Sequence, residues 1–415
     1  MVKADVLPIQ SFKTPTGLEV WLVEDHTSPV VSLAITFEKS KIECPFTPSA
    51  LLLQNSLSDG AGITTPLKMN RFIKETPSLR QVTIGISKAI LEMKTTTKGL
   101  SDSLQMWSRL IGTPQFQKAD LAHSKSQAST FAAHLNQDLN FLAFLNLLKE
   151  IFPQVSSFGV DLEKIPHKIQ TITPEDLDKE QVHQFLTEKP KIVVVGNVGK
   201  SELTVLLDAT FGTLPFEPLS SLPQPSLPQW TGKDIFIEKD VPQAVIAFGQ
   251  PGIHPLSQDY PLYLLLQNVL NVRLMDELRE KRGLIYSLQF QESHYKNVDL
   301  LRGNFSCEPL TANKVIKFIR SEWERLKDFG ITQKELTQAK LSFEKSHILT
   351  LTSTGAVADI YSEFQAFNLG PDTARLLLEK TEKVTLEEIN VFTEQVLKPE
   401  LLTFVVVGPN IKEKQ

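Results

Sequence analysis

The sequence is poor in the residues that build disulfide or metal frameworks: among 415 residues there are two cysteines, Cys44 and Cys307, and eight histidines. Two cysteines make neither a disulfide scaffold nor a thiolate cluster. A single bridge would have to lock one half of the chain to the other, so both read as ordinary thiols. His26, His123, His134, His167, His183, His254, His294 and His347 show no HxxxH or HxxEH pairing, which removes the local signature of a zinc site. There is no GxSxG elbow, and Gly196 and Gly408 stand alone after their apolar runs instead of opening a nucleotide-binding glycine loop. No stretch approaches the roughly 20 apolar residues that cross a bilayer as a helix. The first residues, up to Lys13, lack the apolar core of an export signal, although a signal removed from a mature form would leave the same beginning. A net charge of -5 gives no electrostatic footprint for nucleic acid or an anionic membrane.

What the chain does contain is a duplication. Leu51-Leu52-Leu53-Gln54-Asn55 recurs identically as Leu264-Leu265-Leu266-Gln267-Asn268, 213 positions later. Thr173-Pro174-Glu175-Asp176-Leu177 precedes Val193-Val194-Val195-Gly196 just as Thr385-Leu386-Glu387-Glu388-Ile389 precedes Val405-Val406-Val407-Gly408, at an offset of 212. Trp107 and Trp323 echo the same shift more weakly. Units of this size are far longer than solenoid repeats and mark a duplicated domain. Pro215, Pro218, Pro223, Pro225 and Pro228 crowd the stretch 214–230, an extended spacer that sets the domains at 1–213 and 231–415.

Each copy reads as a hairpin, a helix, further strands, a long helical stretch and a final strand. In the first, strands are expected at 18–23 and 30–37 around a turn at Asp25 to Pro29, and again at 81–86 and 90–95. Thr47 as N-cap, Pro48 in the first turn and Gly60 beyond the end punctuate a helix over 48–58. Helices are expected over 100–111 and from 121 to about 152. The second copy repeats this with strands at 234–238 and 244–248 and helices at 261–270, 312–329 and from 335 onward. Strands and helices mix without strict alternation, so the fold class is α+β: two domains, each a mostly antiparallel sheet covered by helices on one face.

The most pointed stretch is Arg273 to Tyr286. Leu274, Met275 and Leu278 recur at helical spacing, charged residues cover the rest, and Gly283 stops the helix before Tyr286, Leu288 and Phe290 alternate as a half-buried strand. On its own, Arg279 reads as a solvated helix charge and Tyr286 as strand packing. Leu278-Arg279-Glu280-Lys281-Arg282-Gly283-Leu284 followed by Tyr286 resembles the C-terminal half-domains of the pitrilysin and mitochondrial processing peptidase family, zinc peptidases with an inverted HxxEH motif. In that family an Arg and a Tyr at this spacing hold the substrate backbone. One departure is that a glycine-rich loop usually precedes the helix, whereas here Asn268 to Asn271 runs almost directly into Arg273.

The resemblance also requires HxxEH on the helix after the opening strands. Those positions fall on Leu51, Gln54 and Asn55, which can neither ligate zinc nor take a proton as a carboxylate does. The third zinc ligand should be a glutamate some seventy to eighty residues later, yet 121–137 holds no Asp or Glu. The resemblance therefore implies a catalytically inactive subunit of a heteromeric zinc metallopeptidase, one shell of a clam with no cofactor of its own. A homologous HxxEH-bearing chain would supply zinc, water and base, with peptide on an edge strand of that partner. This chain would add Arg279 and Tyr286 toward an extended polypeptide substrate, and would pair with itself when the partner is missing. Family pairs of this kind suggest the periplasm, with the cytoplasm as alternative. A scaffold or peptide-binding protein without a peptidase partner is the rival reading, and an unrecognised hydrolase a third.

Overall fold

The computed structural model describes residues 7–76, 78–116, 121–217, 227–296 and 298–409. The first sheet contains β1 (Ile9–Lys13), β2 (Glu19–Glu24), β3 (Val30–Glu38), β4 (Ser78–Ile84), β5 (Lys88–Thr96) and β6 (Lys191–Gly196) in the order β1-β2-β6-β3-β5-β4. Only β2 and β6 run parallel; the other neighbours are antiparallel. The hairpin expected between β2 and β3 is absent because β6 lies between them. Val193, Val194 and Val195 are apolar on both faces, and such a run is stable only in the middle of a sheet covered on both sides.

The second sheet contains β7 (Asp234–Glu238), β8 (Ala244–Pro251), β9 (Ile285–Tyr295), β10 (Val298–Cys307) and β11 (Thr403–Gly408) in the order β7-β11-β8-β10-β9, with β7 and β11 parallel. Matched by the repeat, β2, β6, β3, β5 and β4 correspond in place to β7, β11, β8, β10 and β9. The two sheets differ by the extra edge strand β1. Capping boxes close the equivalent helices Pro174–Phe185 and Leu386–Val396 at Thr173/Asp176 and Thr385/Glu388.

Both faces of each sheet are covered, where the sequence suggested one. In β3, Phe37 meets Phe185 of helix Pro174–Phe185 at 5.2 Å on one face. Ser32 Oγ lies 2.8 Å from Thr354 Oγ1 of helix Thr354–Ala366 on the other. That second helix comes from the C-terminal copy, and its Tyr361 packs edge-on against Trp21 of β2. Its equivalent in the first copy, helix Leu139–Ile151, belongs to the second sheet: Phe144 lies under the Arg302 guanidinium of β10 at 4.3 Å, and Asn304 donates to Asn140 at 3.0 Å. The chain thus forms two compact units that exchange segments. One takes in Ile348–Thr373 and the other Leu135–Gly159. The sequence halves 1–213 and 231–415 differ from these units by that exchange, and residues 218–226 of the spacer lie outside the described residues.

The helical stretch expected from 121 to 152 is two helices, Leu121–Leu135 and Leu139–Ile151, because Asp138 accepts from the N–H groups of Asn140 and Phe141 and starts a new helix. The core of the second unit centres on Phe248, with Phe404 stacked at 5.3 Å and Trp323 edge-on at 6.1 Å. Gly303 is required beside it, since a Cβ there would meet the Phe248 ring at 2.5 Å.

Candidate functional site

Helix Pro48–Asp59 forms where the sequence places it: the Thr47 hydroxyl accepts from Ala50 N–H at 3.3 Å, and Gly60 closes the end at φ +104°. The three positions on which the resemblance places the HxxEH motif do structural work. Leu51 is 3% exposed and packs in the core. The Gln54 side-chain carbonyl accepts the N–H of Ile84 on β4 at 3.0 Å. The Asn55 amide donates back to the Leu51 carbonyl of its own helix at 2.9 Å. On helix Leu121–Leu135, Ala128 and Ala132 are fully buried and Ser124 donates to Asp59 at 2.6 Å. Among the described residues no group of three or more His, Cys, Asp or Glu is placed to hold a metal. Cys44 and Cys307 are buried and form no disulfide, with burial pushing each thiol up to about 11.

In the second copy the equivalent helix Tyr260–Leu274 does not stop where Gly60 stops the first. Arg273 occupies that position instead and is held by Glu335 through Nε at 2.6 Å and Nη2 at 2.8 Å, with Glu322 at 3.5 Å. Burial alone would raise the Glu335 carboxyl, but Arg273 and the N–H and hydroxyl of Thr332 draw it down to about 2. The helix therefore runs on without the family's loop and widens into a π-turn over Met275–Glu280, where Lys281 N–H reaches the Asp276 carbonyl at 2.9 Å. Leu274 and Leu278 are buried as expected, Met275 half-buried. Gly283, at φ +58°, then turns the chain into β9.

This turn separates the basic side chains by what they hold. Lys281 binds Asp276 and Glu277, each at 2.7 Å, and Arg282 binds Glu277 at 3.3 Å and stacks on Phe318. Lys281 and then Arg282 hold the Glu277 carboxyl below its ordinary value. Among the described residues Arg279 makes one loose ion contact, with Glu280 at 3.9 Å, and its side chain is 51% exposed. Tyr286 is 55% exposed, not half-buried as the strand period suggests. The pairing of β9 with β10 explains this: Ser287 faces Ser306 and Ile285 faces Cys307, so Tyr286 is the extra residue of a bulge that turns its ring outward. Arg279 and Tyr286 thus lie on either side of one glycine turn, both directed to solvent, and share no hydrogen bond with each other among the described residues.

Sequence reasoning missed the π-turn, the bulge and the Arg273–Glu335 pair. Of the last, one half was readable: Thr332 and Glu335 form a capping box at the start of helix Gln333–Thr350, which places the Glu335 carboxylate but not its pairing with Arg273.

Residues 171–343 match the family model described as "Peptidase M16 inactive domain". Over that stretch the chain is similar to the M16 peptidases. It is 24% identical over 318 residues to the "Non-peptidase homolog YmxG" of Helicobacter pylori, covering 75% of this chain and 73% of that protein. It is 25% identical over 295 residues to the mitochondrial-processing peptidase subunit beta of Blastocladiella emersonii, covering 67% and 62%. The crystal structure of a peptidase M16 inactive domain from Pseudomonas fluorescens superposes on 99% of this chain and 100% of its own, with a TM-score of 0.86 at 21% identity, which shows the shared fold.

Proposed function

We propose that this chain is a catalytically inactive subunit of a heteromeric zinc metallopeptidase of the M16 family, completing the substrate-binding chamber of an HxxEH-bearing partner of similar fold. The observation that carries the reading is the contrast between the two copies: Leu51, Gln54 and Asn55 are consumed by packing and backbone bonds, while Arg279 and Tyr286 are turned out with no partner of comparable strength among the described residues. A guanidinium and a phenol so presented can donate hydrogen bonds to peptide carbonyls and to the oxyanion that forms when a partner's zinc-bound water attacks. The relatives support the assignment in name, one being a non-peptidase homologue and another a peptidase subunit. The partner supplies zinc, water and general base, the substrate is an extended polypeptide, and the pair works in the periplasm. Without the partner the chain self-associates.

The test is peptidase activity of the reconstituted pair, with complex formation followed on the same samples. Tyr286→Phe removes one donor and should lower the rate by roughly 10²- to 10³-fold. Arg279→Lys keeps the charge but loses the planar fork and should also weaken the hold on substrate. Both variants should still assemble and leave the partner's zinc in place. Full activity with both would refute the role of this pair, and a chain that ignores every HxxEH homologue would favour the scaffold reading.

A further inference from the structure

Of the arginines in the second unit, Arg273, Arg282, Arg320, Arg325 and Arg375 each hold a carboxylate at 3.3 Å or less, and Arg279 reaches one loosely. Arg302, half-buried in the middle of β10, holds none among the described residues. Its surroundings fix it in place. Asn140 and Phe144 stand four apart on one face of helix Leu139–Ile151, and Asn304 and Arg302 stand two apart on one face of β10, so the pairs meet: amide to amide at 3.0 Å, ring to guanidinium at 4.3 Å. Ser293 on β9 accepts from the Arg302 Nε at 2.7 Å. Ring and hydroxyl together set the plane of the fork, and both Nη groups are left without an acceptor among the described residues.

Burial pulls the guanidinium below its usual value, and the ionisable group that acts on it is the Tyr295 phenol, itself raised by burial and uncharged near neutral pH. A partly desolvated charge in a folded chain is completed by an opposite one. The approach to it is open, because Gln291, directly across from Arg302 on β9, is exposed and uncharged. Two parallel Nη–H donors match the two oxygens of a carboxylate. One fixed positive charge balances a monoanion, whereas a phosphate dianion would keep an unbalanced charge. Small molecules are held in concave clefts, but this is a sheet face open at Gln291, which suits a group carried on a macromolecule. We propose that Arg302, braced by Phe144 and Ser293, is a carboxylate-binding site for an acidic polypeptide, with Asn304 and Gln291 flanking the bound group. Gln291 lies five residues along β9 from Tyr286, roughly 17 Å by the strand rise, and the site does not rest on the role assigned to Arg279 and Tyr286.

The probes are dansylated peptides of about ten residues, titrated with the full-length chain and followed by anisotropy: alternating Gly and Glu with an amidated end, alternating Gly and Gln with an amidated end, and the Gly-Gln peptide with a free terminal carboxylate. The Gly-Glu peptide or the free-ended peptide should bind about tenfold tighter than the amidated Gly-Gln peptide, the first marking an acidic side chain as the source and the second a chain terminus. Arg302→Gln keeps a planar group on Phe144 and should cut that preference to less than about twofold. Arg302→Lys keeps the charge without the fork and should retain about threefold. Both changes also touch the seat of helix Leu139–Ile151, so Gln291→Glu supplies a second measurement at an exposed position. Its carboxylate, opposite Arg302, should raise the melting temperature and weaken the carboxylate peptide about tenfold, while Gln81→Glu, an equal change of charge on exposed β4, should leave binding within about twofold. A guanidinium that only pins the helix would lower the melting temperature of Arg302→Gln and leave the peptide preference intact, which overturns the proposal. So would equal binding of the three peptides, no binding by the parent chain, a Gln291→Glu variant unchanged in both readouts, or displacement of the bound peptide by inorganic phosphate at lower concentration than by acetate.

Discussion

The same pentapeptide, Leu-Leu-Leu-Gln-Asn, lies in two equivalent helices that end differently. In the first copy the helix closes at Gly60, and Gln54 and Asn55 are tied into the backbone around it. In the second, Arg273 stands at the stop position, the helix continues into a π-turn, and the chain carries Arg279 out to solvent before Gly283. The pentapeptide packs in an equivalent helix in both, so what separates the two copies here is how the helix is terminated.

The largest expected break of this contrast is Arg273→Ala. It leaves Glu335 and Glu322 without their shared cation in a mostly buried site, and removing one partner of such a network typically costs about 3–5 kcal/mol. Denaturant unfolding at neutral pH measures it, and a loss below about 1 kcal/mol would mean that Arg273 does not anchor the continuation. Because the Glu335 carboxyl lies near 2 in the fold against an ordinary 4.5, its contribution is present above about 4.5 and is lost as pH falls toward 2. Arg273→Ala should flatten that acid decline.

Smaller effects distinguish the two glycine stops. Gly60→Ala would place a Cβ 2.7 Å from the Thr64 carbonyl oxygen at φ +104°, a strain on the order of 1–3 kcal/mol. Gly283→Ala, at φ +58° with nothing within 4 Å, should cost only the left-handed penalty of about 1 kcal/mol. Equal losses in thermal melts would erase the distinction between a packed stop and an open one. The smallest effect is on Tyr286: the exposed ring of Tyr286→Phe should change stability by less than about 0.5 kcal/mol, and a larger loss would make the bulge a packing feature.

The sequence made the punctuated parts readable. Thr47-Pro48 and Gly60 bracket their helix nearly to the residue, the valine runs are strands, and the internal repeat forecast two sheets of the same order. It hid what depends on distant chain. Nothing near β2 and β3 signals that β6 enters between them, and the apolar faces of helices Leu139–Ile151 and Thr354–Ala366 do not say which sheet they cover. Asp138 was a legible break that helical periodicity overrode. Arg279 and Tyr286 were singled out through a family resemblance, and their outward aim comes from a π-turn and a bulge, which leave no mark in residue type.

The exchanged helices also order events during synthesis. Ser32 waits for Thr354, 322 residues downstream, before that face of the first sheet is closed over Trp21 and its neighbours. At about 5–20 residues per second, a ribosome needs on the order of ten to thirty seconds to travel from the end of β6 through helix Thr354–Ala366. For that interval the nascent first sheet presents an uncovered apolar face, a natural substrate for a holdase chaperone. The first half becomes a finished fold only as the last part of the second is made.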